Sequence, residues 1–109
     1  MLPGIPRLND WLVDPPSACF FMRIGGEAML DAGIHKGDIL LVNRSITPKN
    51  NTVIIARLND EFLIRYFFRE GNQVELLAGN ENFQTIRPQH TDSFEVWGVV
   101  AAVIRKGNI

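Results

Sequence analysis

Apolar residues along this chain gather in short runs separated by turn residues, a pattern that points to strands rather than amphipathic helices. Residues 19–24 are apolar apart from Arg23 and predict a first strand. Gly25-Gly26 allows a sharp turn, and Met29, Leu30 and Ala32-Gly33-Ile34 predict a turn or short helix ended by Gly33. Gly37-Asp38 is a turn signal before Ile39-Leu40-Leu41-Val42, which has no alternation and so predicts a strand buried on both faces. Residues 45–51 form a polar loop with Pro48. Residues 52–58 predict another strand, Asn59-Asp60 sits where a tight hairpin turn belongs, and residues 61–68 supply the partner strand. Gly71-Asn72 makes the next turn, residues 74–78 a short strand and residues 79–84 a loop. Residues 94–104 predict a long closing strand whose internal Gly98 implies a bulge or a close backbone approach.

The N-terminal end reads differently. Pro3, Gly4 and Pro6 predict an extended or mobile arm, residues 8–13 a short helical turn with Asn9 or Asp10 as its cap, and Pro15-Pro16 its end. The expected organisation is an arm and helical turn over residues 1–18 and one domain over residues 19–109. Short strands at about 8–12-residue spacing, with minimal helix, predict a mostly β sandwich or partly open barrel.

Composition narrows the partners. A chain of 109 residues with 46% hydrophobic content makes one small domain with a small core. A net charge of -1 and a pI near 6.1 argue against direct sequence-specific DNA binding, which needs a basic face. The single cysteine, Cys19, excludes an intramolecular disulfide and suits a reducing interior. Met1-Leu2-Pro3-Gly4 lacks the basic and apolar regions of a signal peptide, and no apolar run approaches the roughly 20 residues of a membrane span. The expectation is a cytoplasmic protein without a membrane contact. His35 and His90 lack ligand spacing to another His, Cys or carboxylate, so neither a metal nor a cofactor is expected. Ser45 and Ser93 read as turn residues, and Cys19 as packing.

Candidate chemistry lies in residues 26–44. Gly26-Glu27-Ala28-Met29, then Ala32-Gly33-Ile34, Gly37-Asp38 and Val42-Asn43-Arg44 resemble the nucleophile region of the LexA/UmuD family of self-cleaving Ser–Lys peptidases. That pattern reads Gly-Asp-Ser-Met, Ala-Gly-Ile, Gly-Asp and Val-Asp-Arg. Further segments resemble the family in the same order. Val53-Ile54-Ile55-Ala56 matches the strand before the lysine hairpin, and Asp60-Glu61-Phe62-Leu63-Ile64-Arg65 the lysine segment. Residues 77–86 match an Asn-rich loop, and Phe94-Glu95-Val96-Trp97-Gly98-Val99-Val100 the terminal strand. The resemblance runs from Leu8 to Ile104 and implies the small LexA/UmuD-like peptidase fold.

The resemblance also implies a loss of chemistry. The family's serine falls on Ala28, and a methyl group cannot attack a carbonyl. Its lysine, which must be neutral to accept the serine proton, falls on Arg65, and a guanidinium stays protonated. Ala28 and Arg65, flanked by Gly26, Glu27 and Met29, are thus vestigial dyad positions of a pseudo-peptidase, with no functional catalytic residue. Arg65, if buried, is expected to pair with Glu27 or with loop carbonyls, because an unpaired buried cation is costly; otherwise it points to solvent. Residues 1–25 hold no Ala-Gly or Cys-Gly cleavage site, so the chain resembles the processed form of the UmuD branch. By the same resemblance the chain is expected to be a homodimer, through strand-to-strand or face-to-face contact, with Phe94, Val96, Trp97 and Val99 as interface candidates. The implied function is an accessory subunit of an error-prone Y-family translesion DNA polymerase in SOS mutagenesis. Two alternatives are a decoy that forms mixed dimers with active LexA/UmuD-like proteins, and a residual serine peptidase with a relocated dyad. The last needs a Ser or Cys beside a lysine, and the sequence has no such pair.

Overall fold

A computed structural model describes residues 18–105, so the arm and helical turn expected within residues 1–17 lie outside the described residues. Six strands follow in chain order: β1 Cys19–Arg23, β2 Ile39–Asn43, β3 Thr52–Leu58, β4 Glu61–Glu70, β5 Gln73–Leu77 and β6 Phe94–Ile104. They form one sheet in the order β1-β2-β6-β3-β4-β5, with every neighbouring pair antiparallel. Among the described residues the one helical element is a 3₁₀ turn, Leu30–Ala32. The fold is therefore mostly β with almost no helix, as the spacing of the apolar runs predicts. The sheet is open, with β1 and β5 at its edges.

The turns follow from their residues. Asn59 and Asp60 take φ of 50° and 69°, the two positive values a type I′ hairpin turn requires, and Asn tolerates that region better than most residues. The same turn is braced from outside: the Asn59 N–H donates to the Ser93 carbonyl at 2.8 Å, and the Ser93 N–H to Asn59 Oδ1 at 2.9 Å.

Period-two alternation splits the core between the two sheet faces. One face carries Leu40, Val42, Val53, Ile55, Ile64 and Val100, covered by Ile24, Met29 and Ile34 from the segment between β1 and β2. The other carries Ile54, Ala56, Phe67, Leu76 and Val99, with Ile86, Phe94 and Val96 packed against it. β2 is buried along its length: Leu40, Leu41 and Val42 are each at most 1% exposed, as its lack of alternation predicts.

β6 lies inside the sheet, hydrogen-bonded to β2 on one side and β3 on the other. It has two register shifts. Trp97 is an extra residue between the pairs Ile55–Gly98 and Ala56–Val96, and Ala101 one between Leu41–Ala102 and Val42–Val100. Bulges of this kind bend a strand and increase its twist. Gly98 sits beside the first, and a Cβ there would lie 2.5 Å from Val42 Cγ1 and 3.2 Å from the Asn43 carbonyl oxygen. The bulge and the close approach expected at Gly98 are both present.

The interior position of β6 sets the surroundings of the interface candidates. Residues 99–104 pair with β2 and residues 94–99 with β3, so each edge of β6 is covered along part of its length. Of the interface candidates, Val99 is buried, Phe94 and Val96 are half-buried against one cluster, and Trp97 is half-buried against the other. Trp97 makes edge-to-face contacts with Phe20 and Phe62, with ring centroids 5.2 and 5.0 Å away, and carries the Arg44 guanidinium 4.1 Å from its ring centroid.

Asp38 ties the end of β6 to the turn before β2. Its buried carboxylate accepts Arg105 Nε at 3.1 Å and Nη2 at 3.2 Å, and the His35 N–H at 2.8 Å. Burial alone raises this carboxyl's pKa, but the Arg105 and His35 hydrogen bonds outweigh it and hold the carboxyl below its ordinary value. A depressed folded-state value means that the stabilisation is full above the unfolded-state pKa of about 3.9 and is lost as pH falls through the folded-state value.

Two outcomes are expected. Gly98→Ala lowers stability by about 1–3 kcal/mol, because Val42 and the Asn43 carbonyl cannot both yield. Urea denaturation measures it, and an unchanged midpoint would mean that β6 relaxes freely. Asp38→Asn costs about 1–3 kcal/mol at pH 7, a loss that shrinks below about pH 4. Thermal melts of both proteins between pH 3 and 7 check the convergence.

Candidate functional site

A cleft of about 320 Å³ opens between the segment after β1 and the first half of β4. Gly26, Glu27 and Ala28 line one wall, Glu61, Phe62 and Arg65 the other, and Phe83 contributes from the loop after β5. The two positions that the resemblance singled out, Ala28 and Arg65, therefore share one cavity, and Gly26 and Glu27 line it with them. Met29 does not line it. It is 1% exposed and anchors the segment in the core.

Main-chain bonds hold the Ala28 segment. The Gly79 N–H donates to the Ala28 carbonyl at 2.7 Å, and the Asp31 N–H to the Gly79 carbonyl at 2.6 Å. Asn80 Nδ2 adds a bond to the Glu27 carbonyl at 2.9 Å. Beyond Ala28, the Met29 carbonyl accepts the N–H groups of Ala32 and Ile34 at 3.1 and 3.2 Å. The 3₁₀ turn stops at Gly33, whose φ of 78° is the left-handed conformation glycine adopts without cost. Pairing with Gly79 seats the segment against the end of β5, and no side chain at position 28 takes part.

Arg65 is buried, with 7% of its surface exposed, so it does not point to solvent. Nor does it pair with Glu27 or a loop carbonyl, as the sequence suggested: Nη1 donates to the carbonyl of its own strand neighbour, Ile64, at 2.7 Å. Its Nε is buried without a partner, and its Cζ lies 5.5 Å from the Phe83 ring centroid. Burial pulls the guanidinium pKa down, and the nearby Glu61 charge works against that pull. The group stays cationic at neutral pH, since arginine is not deprotonated in proteins. Among the described residues no ion pair reaches it.

The remaining candidates lie elsewhere. Cys19 is half-buried in β1, and burial raises its thiol pKa, the opposite of what a nucleophilic cysteine needs. The Ser45 hydroxyl donates to Asn43 Oδ1 at 2.7 Å, a local turn bond. His35 and His90 are exposed, and among the described residues no group of three His, Cys, Asp or Glu side chains could hold a metal. Phe62 and Phe83 are cleft residues that sequence reasoning did not single out. Both are large and apolar yet at least 40% exposed, and Phe83 stands in an Asn-rich polar loop, which was the available signal.

The sequence profile of the peptidase S24-like family matches residues 4–101. The chain belongs to this family. It is 43% identical over 98 residues to a LexA repressor of Psychromonas ingrahamii, covering 85% of this chain and 47% of the relative. It is 40% identical over 105 residues to a LexA repressor of Photorhabdus laumondii, covering 92% of this chain and 52% of the relative. The chain thus spans about half the length of these curated relatives. The single open sheet and the Ala28–Arg65 cleft described above are the S24-like domain as this sequence builds it. Among the described residues, no helix of this S24-like domain is long and apolar enough to cross a membrane.

The chemistry at positions 28 and 65 generates a paired expectation. Ala28→Ser alone leaves a supplied arm peptide uncut, because the Arg65 guanidinium cannot take the hydroxyl proton. Ala28→Ser with Arg65→Lys cleaves at least about 10²-fold faster than the single variant, the usual scale of a general base. Mass spectrometry of the incubated peptide decides between them, and cleavage by the single variant would contradict the role assigned to Arg65.

Proposed function

We propose that this S24-like domain is a non-catalytic binding protein: a homodimeric accessory subunit of an error-prone Y-family translesion DNA polymerase, acting in the SOS response to DNA damage. One observation carries the non-catalytic half of the reading. The cleft that would hold a peptide bond is faced by a methyl group at Ala28 and a guanidinium at Arg65, neither of which supplies a nucleophile or a base at neutral pH. The polymerase half comes from the resemblance of the segments 26–44, 60–65 and 94–100 to the LexA/UmuD family, whose processed UmuD form joins such a polymerase. Membership of the S24-like family supports the SOS setting.

β6 is covered along part of each edge by β2 and β3. A face contact through Phe94 and Val96, both half-buried, keeps the interface within the candidate set. A second reading, the decoy that forms mixed dimers with active family members, draws support from the 40–43% identity to two LexA repressors.

The test is co-expression with the Y-family polymerase of the same source, followed by affinity purification and light scattering. Two copies of this chain per polymerase are expected. A stable dimer that ignores the polymerase but exchanges subunits with an active LexA/UmuD-like protein would overturn the accessory-subunit reading in favour of the decoy.

A further inference from the structure

The Ala28–Arg65 cleft contains a buried cation that the fold leaves incompletely satisfied. The Arg65 guanidinium is more than nine-tenths buried, its Nε has no partner, and its one hydrogen bond goes to a neutral carbonyl of its own strand. An unpartnered buried N–H is costly, and more so when the group is charged. Two carboxylates line the same cleft, Glu27 and Glu61, but neither forms an ion pair with Arg65, and both are exposed at its rim. Arg23 also lines the cleft from its exposed end, and the remaining walls offer apolar surface, including Ile24, Ile55, Phe62 and Phe83. The Phe83 ring screens one face of the guanidinium from water.

We propose that this cleft recognises a carboxylate on an extended peptide, with Arg65 receiving the carboxylate and Phe62 and Phe83 receiving its apolar flanks. A planar guanidinium is built to take a carboxylate through two parallel hydrogen bonds, and in a partly desolvated site such charge-assisted bonds are about twice as strong as neutral ones. The volume agrees with a segment of this kind. About 320 Å³ is at the lower end of the range of ligand pockets, enough for one acidic residue and parts of its neighbours but not for a folded element. A neutral peptide carbonyl would satisfy one N–H and leave the charge uncompensated, so the site discriminates in favour of the anion. The inference rests on the non-catalytic reading, because a ligand that stays bound must not be cut.

The test uses the full chain and three acetylated pentapeptides. The first has a central glutamate between two phenylalanines and an amidated end. The second replaces that glutamate by glutamine. The third is apolar with a free C-terminal carboxylate. Binding is followed by ¹⁵N NMR of the Arg65 Nε–H, a probe that reports the group itself. The glutamate peptide is expected to bind at least roughly tenfold more tightly than its glutamine counterpart, and to shift the Arg65 resonance. Arg65→Met abolishes that preference while leaving weak binding to the aromatic surface. Tighter binding of the third peptide than of the first identifies a chain terminus rather than an acidic side chain as the source of the carboxylate. Equal affinity for glutamate and glutamine peptides, or a preference that survives in folded Arg65→Met, overturns the proposal. Where Arg65→Met does not fold, propionate against propionamide on the wild-type chain replaces it. Failure of propionate to shift the Arg65 Nε–H further than propionamide is then the overturning result. Mass spectrometry of the same samples separates the two readings, since cleavage of a peptide strikes the non-catalytic reading and leaves the carboxylate preference to be read from the affinities.

Discussion

The missing Cβ at Gly98 is the constraint on which the sheet depends. At that point β6 passes so close to β2 that even a methyl group would meet Val42 and the Asn43 carbonyl. Trp97, the extra residue just before it, meets the rings of Phe20 and Phe62 edge to face. The close approach and the bulge let one strand serve two neighbours while presenting apolar residues to both faces. Val100 packs with Ile55 and Ile64 on one side and Val99 with Ile54 and Leu76 on the other. The two core clusters are thus joined through a single strand.

The cleft inherits its shape from this arrangement. Its Ala28 wall is held by main-chain bonds to Gly79 and by the burial of Met29, and none of these uses the side chain at position 28. A fold supported in this way is indifferent to the chemistry carried there, so the segment keeps its conformation with a methyl group in place. Arg65 is the opposite case. The fold buries it, gives it one neutral acceptor and leaves its Nε without any. Sites that keep such a cost are commonly those where function rather than stability sets the residue.

Much of the fold could be read from local signals. The bounds of β3 and β6 coincide with the apolar runs 52–58 and 94–104, and the turns fall at Asn59-Asp60 and Gly71-Asn72, because strand periodicity and turn chemistry are written in neighbouring residues. β4 runs two residues further than its apolar run, to Glu70, where cross-strand pairing with Gln73 carries polar residues into the hairpin. The position of β6 between β2 and β3 was not readable, because it is decided by long-range pairing. The cleft residues Ala28 and Arg65 came from motif resemblance, whereas the acceptor of Arg65 depends on a side-chain conformation. A reach toward Glu27 and a reach back to Ile64 look the same in sequence. Phe83 stood out only once its loop had been placed against β4.

The strand order has a consequence for how the chain folds. β1 and β2 form one antiparallel unit, and β3, β4 and β5 form another through two tight hairpins, but the two units touch within the sheet only through β6. Both units can nucleate early from near neighbours in sequence, yet neither can complete its hydrogen bonding until a strand from far along the chain slots between them. Closing those loops incurs an entropy cost before any contact rewards it, and folds dominated by such pairings are slow. Assembly of this sheet is therefore a late, all-at-once event in which β6 acts as the keystone. Until it arrives, the inner edges of β2 and β3 stand open to pairing with the wrong strand.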